Sequence, residues 1–157
     1  MTMACLTDTN ILLRRQQPQH PQFEAAVNGV VRLRGQGETL HVARQNLTEF
    51  RNTATRPLDK NGLGLPPAVA DNELTVLEQE FDILSDTDAI YFVWRALIAA
   101  KGVSGKQVHD ARLVAAMLVY GVTRLLTFNA ADFRRFETLP AALGPGIVVV
   151  DPADGTS

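Results

Sequence analysis

The sequence predicts an α/β domain in which a mainly parallel sheet lies between helices on both faces. Three observations carry that expectation. Short apolar runs alternate with longer amphipathic segments, the pattern of strand–helix–strand units. The length of 157 residues fits a single domain, since domains commonly hold about 100–150 residues. The residues following the apolar runs are repeatedly acidic or polar, and in parallel sheets ligands sit outside the carboxyl ends of the strands. Hydrophobic residues make up 46% and charged residues 20% of the chain, which excludes a disordered polymer. No apolar run approaches the roughly 20 residues that span a bilayer, and Met1–Cys5 has no charged leader, so neither a membrane segment nor a cleaved signal is expected. A lone cysteine, Cys5, cannot form an internal disulfide and fits a reduced cytoplasmic setting. The formal charge of −2 excludes nucleic-acid binding by bulk positive charge and leaves local patches. Arginine supplies 12 of the 15 basic residues, with close pairs at Arg14/Arg15, Arg32/Arg34 and Arg134/Arg135, and its planar fork suits phosphate.

The elements follow in order. Met3–Thr7 reads as a buried strand ending at Asp8. After Pro18 and Pro21, the positions Phe23, Ala26, Val27 and Val30 recur at helical spacing until Gly35 and Gly37. Thr39–Ala43 is a second strand, and Asn46 opens a helix to about Thr55, its Asn46-x-x-Glu49 having the form of a capping box. Arg56–Pro67, rich in proline and glycine, is a loop. A helix of about ten residues through Leu74 and Leu77 follows, then a short strand over Phe81–Leu84. Asp86–Lys101 places Ile90, Trp94, Leu97 and Ile98 on one face before Gly102. Ser104-Gly105-Lys106-Gln107 has capping-box form and starts a helix that carries Ala111, Val114, Ala115 and Leu118 on one stripe and ends at Gly121. Strands at Arg124–Thr127 and Ile147–Val150 flank a polar turn with a short helix near Asp132. The domain spans residues 1–151, and 152–157 read as a frayed tail.

Four carboxylates fall after these elements: Asp8 at the end of the first strand, Glu49 near the start of its helix, Asp110 about two turns into its helix, and Asp132 beyond the Arg124–Thr127 strand, with Asn129 beside it. Each has a simpler explanation taken singly. Asp8 and Asn129 suit turns, Glu49 and Asp132 suit helix caps, and Asp110 suits a helix N-terminus. Their order along the chain favours one shared site. Carboxylates gathered without partners raise one another's pKa. A hard divalent cation such as Mg²⁺ or Mn²⁺ relieves that repulsion, and it also activates water against phosphate esters. The three histidines, His20, His41 and His109, are scattered and make no zinc pattern.

Four stretches carry a family resemblance: Leu6-Thr7-Asp8-Thr9-Asn10-Ile11-Leu12-Leu13, Leu47-Thr48-Glu49-Phe50, His109–Ala116, and Leu126-Thr127-Phe128-Asn129-Ala130-Ala131-Asp132-Phe133. In this order and at these separations the chain resembles PIN-domain proteins, close to the VapC-type endoribonuclease toxins of type II toxin–antitoxin pairs. The resemblance implies a PIN-like three-layer α/β/α fold around a parallel sheet of about four or five strands. It implies a Mg²⁺- or Mn²⁺-dependent hydrolase of RNA phosphodiester bonds that leaves 5′-phosphates. By position, Asp8, Glu49 and Asp110 would be the metal-site acids and Asp132 a fourth catalytic acid. Asn129 stands where many relatives carry an acid. Asn10 and Thr127 would orient the carboxylates. A homodimer and a small antitoxin are the partners the resemblance implies.

The first alternative is a non-catalytic PIN-like module that binds RNA or protein, against which the intact set Asp8, Glu49 and Asp110 speaks. The second is a different acidic phosphotransfer fold. A haloacid-dehalogenase-like phosphatase needs a second aspartate where Asn10 stands, and a receiver domain needs a lysine at a late strand end, whereas Lys60, Lys101 and Lys106 lie elsewhere. No Gly-x-Ser-x-Gly elbow or complete phosphate loop is present.

Overall fold

The computed structural model describes residues 3–154. Five strands form one parallel sheet: β1 (Ala4–Thr7), β2 (Thr39–Ala43), β3 (Asp82–Leu84), β4 (Arg124–Leu126) and β5 (Val148–Val150), in the order β3-β2-β1-β4-β5. Among the described residues seven α-helices accompany them: α1 (Thr9–Arg14), α2 (Phe23–Gly35), α3 (Arg44–Thr55), α4 (Pro67–Glu80), α5 (Asp88–Lys101), α6 (Gln107–Tyr120) and α7 (Ala130–Phe133). Strand residues alternate between two cores, as pleating requires. Cys5, Leu40, Val42 and Leu126 face α1–α4, with Ile11, Val30, Phe50 and Leu77 among their neighbours. Leu6, Ala43, Leu84 and Leu125 face α5–α7, with Ile90, Leu97, Val114 and Phe133. The result is the expected three-layer α/β/α fold.

The chain runs outward from β1 through β2 to β3, then crosses back to place β4 on the other side of β1. The carboxyl ends of β1 and β4 therefore flank the point where strand order reverses, the crevice in which open α/β sheets bind ligands. Asp8 follows β1, and Thr127 follows β4.

Several local expectations need correction. α1 was not legible in the sequence. It begins because the Asp8 side chain accepts the Thr9 N–H at 2.8 Å, and it buries Ile11, Leu12 and Leu13. Helix α3 starts at Arg44, so Asn46 is its third residue rather than its cap, and its Oδ1 accepts the Ala43 N–H at 2.8 Å. Glu49 is thereby released from the capping role. Ser104 likewise caps nothing: Gly105 takes φ +62° and α6 begins at Gln107 without a side-chain cap, which puts Asp110 in the first turn instead of the second. α4 is 14 residues long, opened by Pro67 in its first turn.

The 56–67 loop is fastened to α3 by Leu63 and Leu65 N–H groups donating to the Thr53 and Ala54 carbonyls. Gly62 lies so close to the Arg56 carbonyl that a Cβ there would stand 1.9 Å from its oxygen. Residue 152, where a frayed tail was expected to begin, is tied to the domain. Pro152 is buried against Gly29, and the Arg32 guanidinium donates to the Asp151 and Pro152 carbonyls at 3.3 Å. Residues 155–157 of that predicted tail lie outside the described residues. Among the described residues no helix is long and apolar enough to cross a membrane.

At the sheet edge opposite the crevice, Arg124 of β4 reaches across β1 to Glu38 just ahead of β2, with contacts of 2.8 and 3.4 Å. The Glu38 side chain is only 4% exposed. Removing one partner of such a pair strands a buried charge, which costs far more than the pair itself contributes. Arg124→Met should lower unfolding free energy by about 3–5 kcal/mol in urea titrations, and adding Glu38→Met should restore most of it. Equal losses in the single and double variants would contradict this.

Candidate active site

Asp8 is the deepest group of the crevice. Its 6% exposure follows from its place at the end of the central strand, beneath the first turn of α1. Two donors meet it besides the Thr9 N–H that holds Oδ1. The Thr127 hydroxyl donates to Oδ2 at 2.7 Å, and the Asn10 amide lies 3.4 Å from the same oxygen. Asn10 also donates to Thr127 Oγ1 at 3.2 Å and accepts the Phe128 N–H at 3.3 Å. Thr127 Oγ1 further accepts the Asn129 N–H at 2.9 Å. With two donors pointing at its oxygen, the Thr127 proton is directed at Asp8. These bonds stitch the segment after β1 to the segment after β4.

Glu49 lies on α3, half-buried, and is held directly by Thr9 and Gln45, to which the sequence assigned no role. The Thr9 hydroxyl donates to its Oε2 at 2.8 Å, while Asn46 Nδ2 donates to Thr9 Oγ1 at 3.1 Å. The Gln45 amide donates to its Oε1 at 2.8 Å. Thr9 lies in a motif stretch and Asn46 in the capping-box pattern, but only the three-dimensional register of α1 against α3 gives them these partners. Asp110 is half-buried, and no hydrogen-bond donor contributes to its electrostatics. Asp132 is exposed in the first turn of α7, and Asn129 precedes that helix without capping it through its side chain.

Burial and neighbouring carboxylates raise two of the acids, Asp8 and Asp110. Burial pushes the Asp8 carboxyl up to about 6, against the pull of the Thr127 and Thr9 hydrogen bonds, and Glu49 and Asp132 add to the rise. Asp110 is also pushed up to about 6, by burial first and then by Asp8, Asp132 and Glu49, with Lys106 opposing. The donor set is all oxygen, which suits a hard cation. Among the described residues, however, no three Asp, Glu, His or Cys side chains stand close enough to enclose an ion by themselves. Mg²⁺ fits such an arrangement, because it keeps several waters and takes one or two carboxylates rather than a protein cage.

A shallow groove of about 270 Å³ runs beside the acids, lined by Arg44, Gln45, Thr48, Asp86, His109 and Arg112. The arginines that the sequence offered as RNA contacts are engaged elsewhere. Arg15 and Arg34 both bind Glu80 over the Phe81 ring, Arg14 binds Gln17 and Gln22, Arg134 pairs with Glu137, and Arg135 binds Gln107 and the Lys101 carbonyl.

An open parallel sheet with carboxylates over its switch point belongs to the broad class of doubly wound α/β folds. Residues 5–139 match the family model described as PIN domain, and the chain belongs to that family. Among curated proteins, none matches the sequence significantly. Solved structures share the fold at low identity. A chain of VapBC2 from Rickettsia felis, crystallised with a DNA fragment from the promoter, superimposes with a TM-score of 0.64 at 15% identity, over 95% of this chain and 98% of that one. For VapBC-1 from nontypeable Haemophilus influenzae the TM-score is 0.66 at 14% identity, over 97% and 100%. For VapC20 from Mycobacterium tuberculosis, described as a toxin that cleaves the sarcin–ricin loop, it is 0.59 at 14% identity, over 82% and 92%.

The raised carboxyl pKa values have a consequence for stability. Asp8 and Asp110 hold protons to about pH 6 in the fold, against 3.8 for an ordinary aspartate. Between those limits the folded state binds more protons than the unfolded chain, so stability falls as pH rises. Asp110→Asn removes one charge without removing a hydrogen bond. In EDTA it should melt above the wild type at about pH 8, the two curves converging near pH 4. A variant that melts lower at the higher pH would show that repulsion does not govern this site.

Proposed function

We propose that the protein is a metal-dependent endoribonuclease that hydrolyses RNA phosphodiester bonds and acts as the toxin of a type II toxin–antitoxin pair. The observation that carries this reading is Asp8, held by Thr127 and the Thr9 N–H at the switch point of a PIN fold, with Glu49 and Asp132 near enough for their charges to push its carboxyl up. The relatives' VapBC assemblies favour a small antitoxin as partner, and a homodimer in the cytoplasm completes the reading.

Asp8, Asp110 and Glu49 would hold Mg²⁺ or Mn²⁺, and the bound ion would supply charge neutralisation at the phosphate and a more acidic water. The chain's own part is to present oxygens in fixed orientations. Thr127 and the Thr9 N–H hold the Asp8 carboxylate in one rotamer, so that no reorganisation is needed when phosphate charge develops. Asn10 keeps Thr127 in place from the other side. Thr9 and Gln45 do the same for Glu49. Asp110, with no such donor, is freer than Asp8 or Glu49 to adjust to an incoming ligand. Asp132, exposed at the rim, would take the proton lost by the attacking water, and the leaving 3′-oxygen would take one from solvent.

The test is cleavage of end-labelled single-stranded RNA by the purified chain in EDTA, Mg²⁺ or Mn²⁺, with Asp110→Asn in parallel. Cutting should require the ion and fall by more than roughly 100-fold in the variant, beyond the losses usual for groups that merely support a ligand. Mn²⁺ should also raise the wild type's melting temperature, because it binds the fold and not the unfolded chain. No cutting of any RNA together with no Mn²⁺ shift would leave a PIN-like binding module.

A further inference from the structure

Gln45 sits on α3 one turn before Glu49 and makes three contacts that no other side chain of the site combines. Its Nε2 donates to Glu49 Oε1 at 2.8 Å and to the main-chain carbonyl of His109 at 2.9 Å. Its Oε1 faces Arg112 Nη1 at 3.3 Å. His109 is the residue before Asp110. One amide therefore joins the carboxylate of Glu49, from the helical layer on one face of the sheet, to the backbone that carries Asp110, from the layer on the other.

The orientation of that amide is dictated by its surroundings. Both acceptors lie on one side and a guanidinium on the other, so the flipped amide would turn its oxygen toward a carboxylate and a carbonyl and its N–H groups toward a cation. Arg112 is steadied in turn by Asp86 Oδ1 at 3.2 Å. Arg112 lies on α6 two residues beyond Asp110 and spans to the segment between β3 and α5. A planar donor fork held in this way polarises the Gln45 carbonyl and strengthens both N–H bonds.

We propose that Gln45 is a positioning residue that sets the separation between Glu49 and Asp110, with Arg112 fixing its orientation. The inference rests on the nuclease reading above, since the separation matters because two acids must face one ion. Thr9 fixes the second oxygen of Glu49, so losing Gln45 frees the carboxylate to swing about that single anchor without displacing α3.

Gln45→Met keeps length and helix preference and removes both donors. It should weaken Mn²⁺ binding, read from the concentration dependence of the melting temperature, by about 10–100-fold, the usual loss when a ligand's supporting partner is removed. The melting temperature in EDTA should be nearly unchanged. For RNA cleavage at saturating Mn²⁺, kcat should fall while KM for RNA stays within about two-fold, because Gln45 supports a group used in the reaction and does not grip the strand. Arg112→Met should act in the same direction but less, and the double variant should lose no more than Gln45→Met alone. In the metal-free protein the carboxyl-carbon resonance of Glu49 should shift in Gln45→Met.

Mn²⁺ affinity and kcat within two-fold of the wild type would overturn the inference even if the wild type cuts RNA. An unmoved Glu49 resonance would overturn it whether or not the chain is a nuclease. A wild type that neither binds Mn²⁺ nor cuts, in contrast, removes the nuclease reading itself and the positioning role with it. Additive losses in the double variant would separate Arg112 from the device.

Discussion

The arrangement depends on keeping a carboxylate out of water at the end of the central strand. Asp8 is nearly inaccessible and accepts hydrogen bonds from a hydroxyl and a main-chain N–H, an environment that by itself lowers a carboxyl pKa. Burial outweighs those bonds, and neighbouring carboxylates push the same way, so the net movement is upward to about 6. The fold therefore tolerates an electrostatic cost at this point. Groups that shift so far by desolvation and like charge concentrate where ligands or chemistry are served. Structural charges in this protein are treated differently: Glu38 is just as hidden but has Arg124 opposite it at 2.8 Å.

Topology supplies the means of holding Asp8. Because β4 returns beside β1 instead of continuing outward from β3, Thr127 comes within hydrogen-bond reach of a residue 119 positions away. The same crossover puts α6 on the face opposite α3, so Asp110 and Glu49 approach from separate layers. α6 packs there through Ala111, Val114 and Ala115, all fully buried. Small residues let a helix lie close to the sheet, and a helix held that firmly carries Asp110 with it. The acids are thus set by three rigid elements, a strand end and two helices, and not by mobile loops.

Much of this was legible beforehand, for definable reasons. The strands were readable because fully buried runs such as Cys5-Leu6 and Leu125-Leu126 have no other use in a chain of this composition. That Asp8 and Asp132 lie at one edge of the sheet was readable because they follow β1 and β4, which are parallel neighbours. Helix boundaries were not. Asn46-x-x-Glu49 and Ser104-x-x-Gln107 have the right letters for capping boxes, yet a cap depends on which residue first adopts helical dihedrals, and the structure starts those helices at Arg44 and Gln107. α1 escaped because six residues are too few to show a period. Thr9, Gln45 and Arg112 escaped because their roles exist only between elements: Thr9 is 40 positions from Glu49, and Arg112 is 67 from Gln45.

The arginines show the same limit from the other side. Paired Arg14/Arg15 and Arg134/Arg135 suggested phosphate contacts, whereas the folded chain uses them as cross-braces, Arg15 with Arg34 clamping Glu80 over Phe81 and Arg135 tying Gln107 to Lys101. A guanidinium already satisfied by a carboxylate or carbonyl has to give up that bond before it can hold phosphate, and the exchange gains little. Composition therefore overstates the basic surface open to a nucleic acid. The arginines beside the acids are Arg44, which makes no ion pair among the described residues, and Arg112, whose partners are Gln45 and Asp86. An RNA strand competing for Arg112 would pull on the same guanidinium that orients Gln45. A ligand that drew Arg112 away would leave the Gln45 carbonyl without its partner, so Arg112 is best used as a brace for Gln45 and not as a grip on the strand.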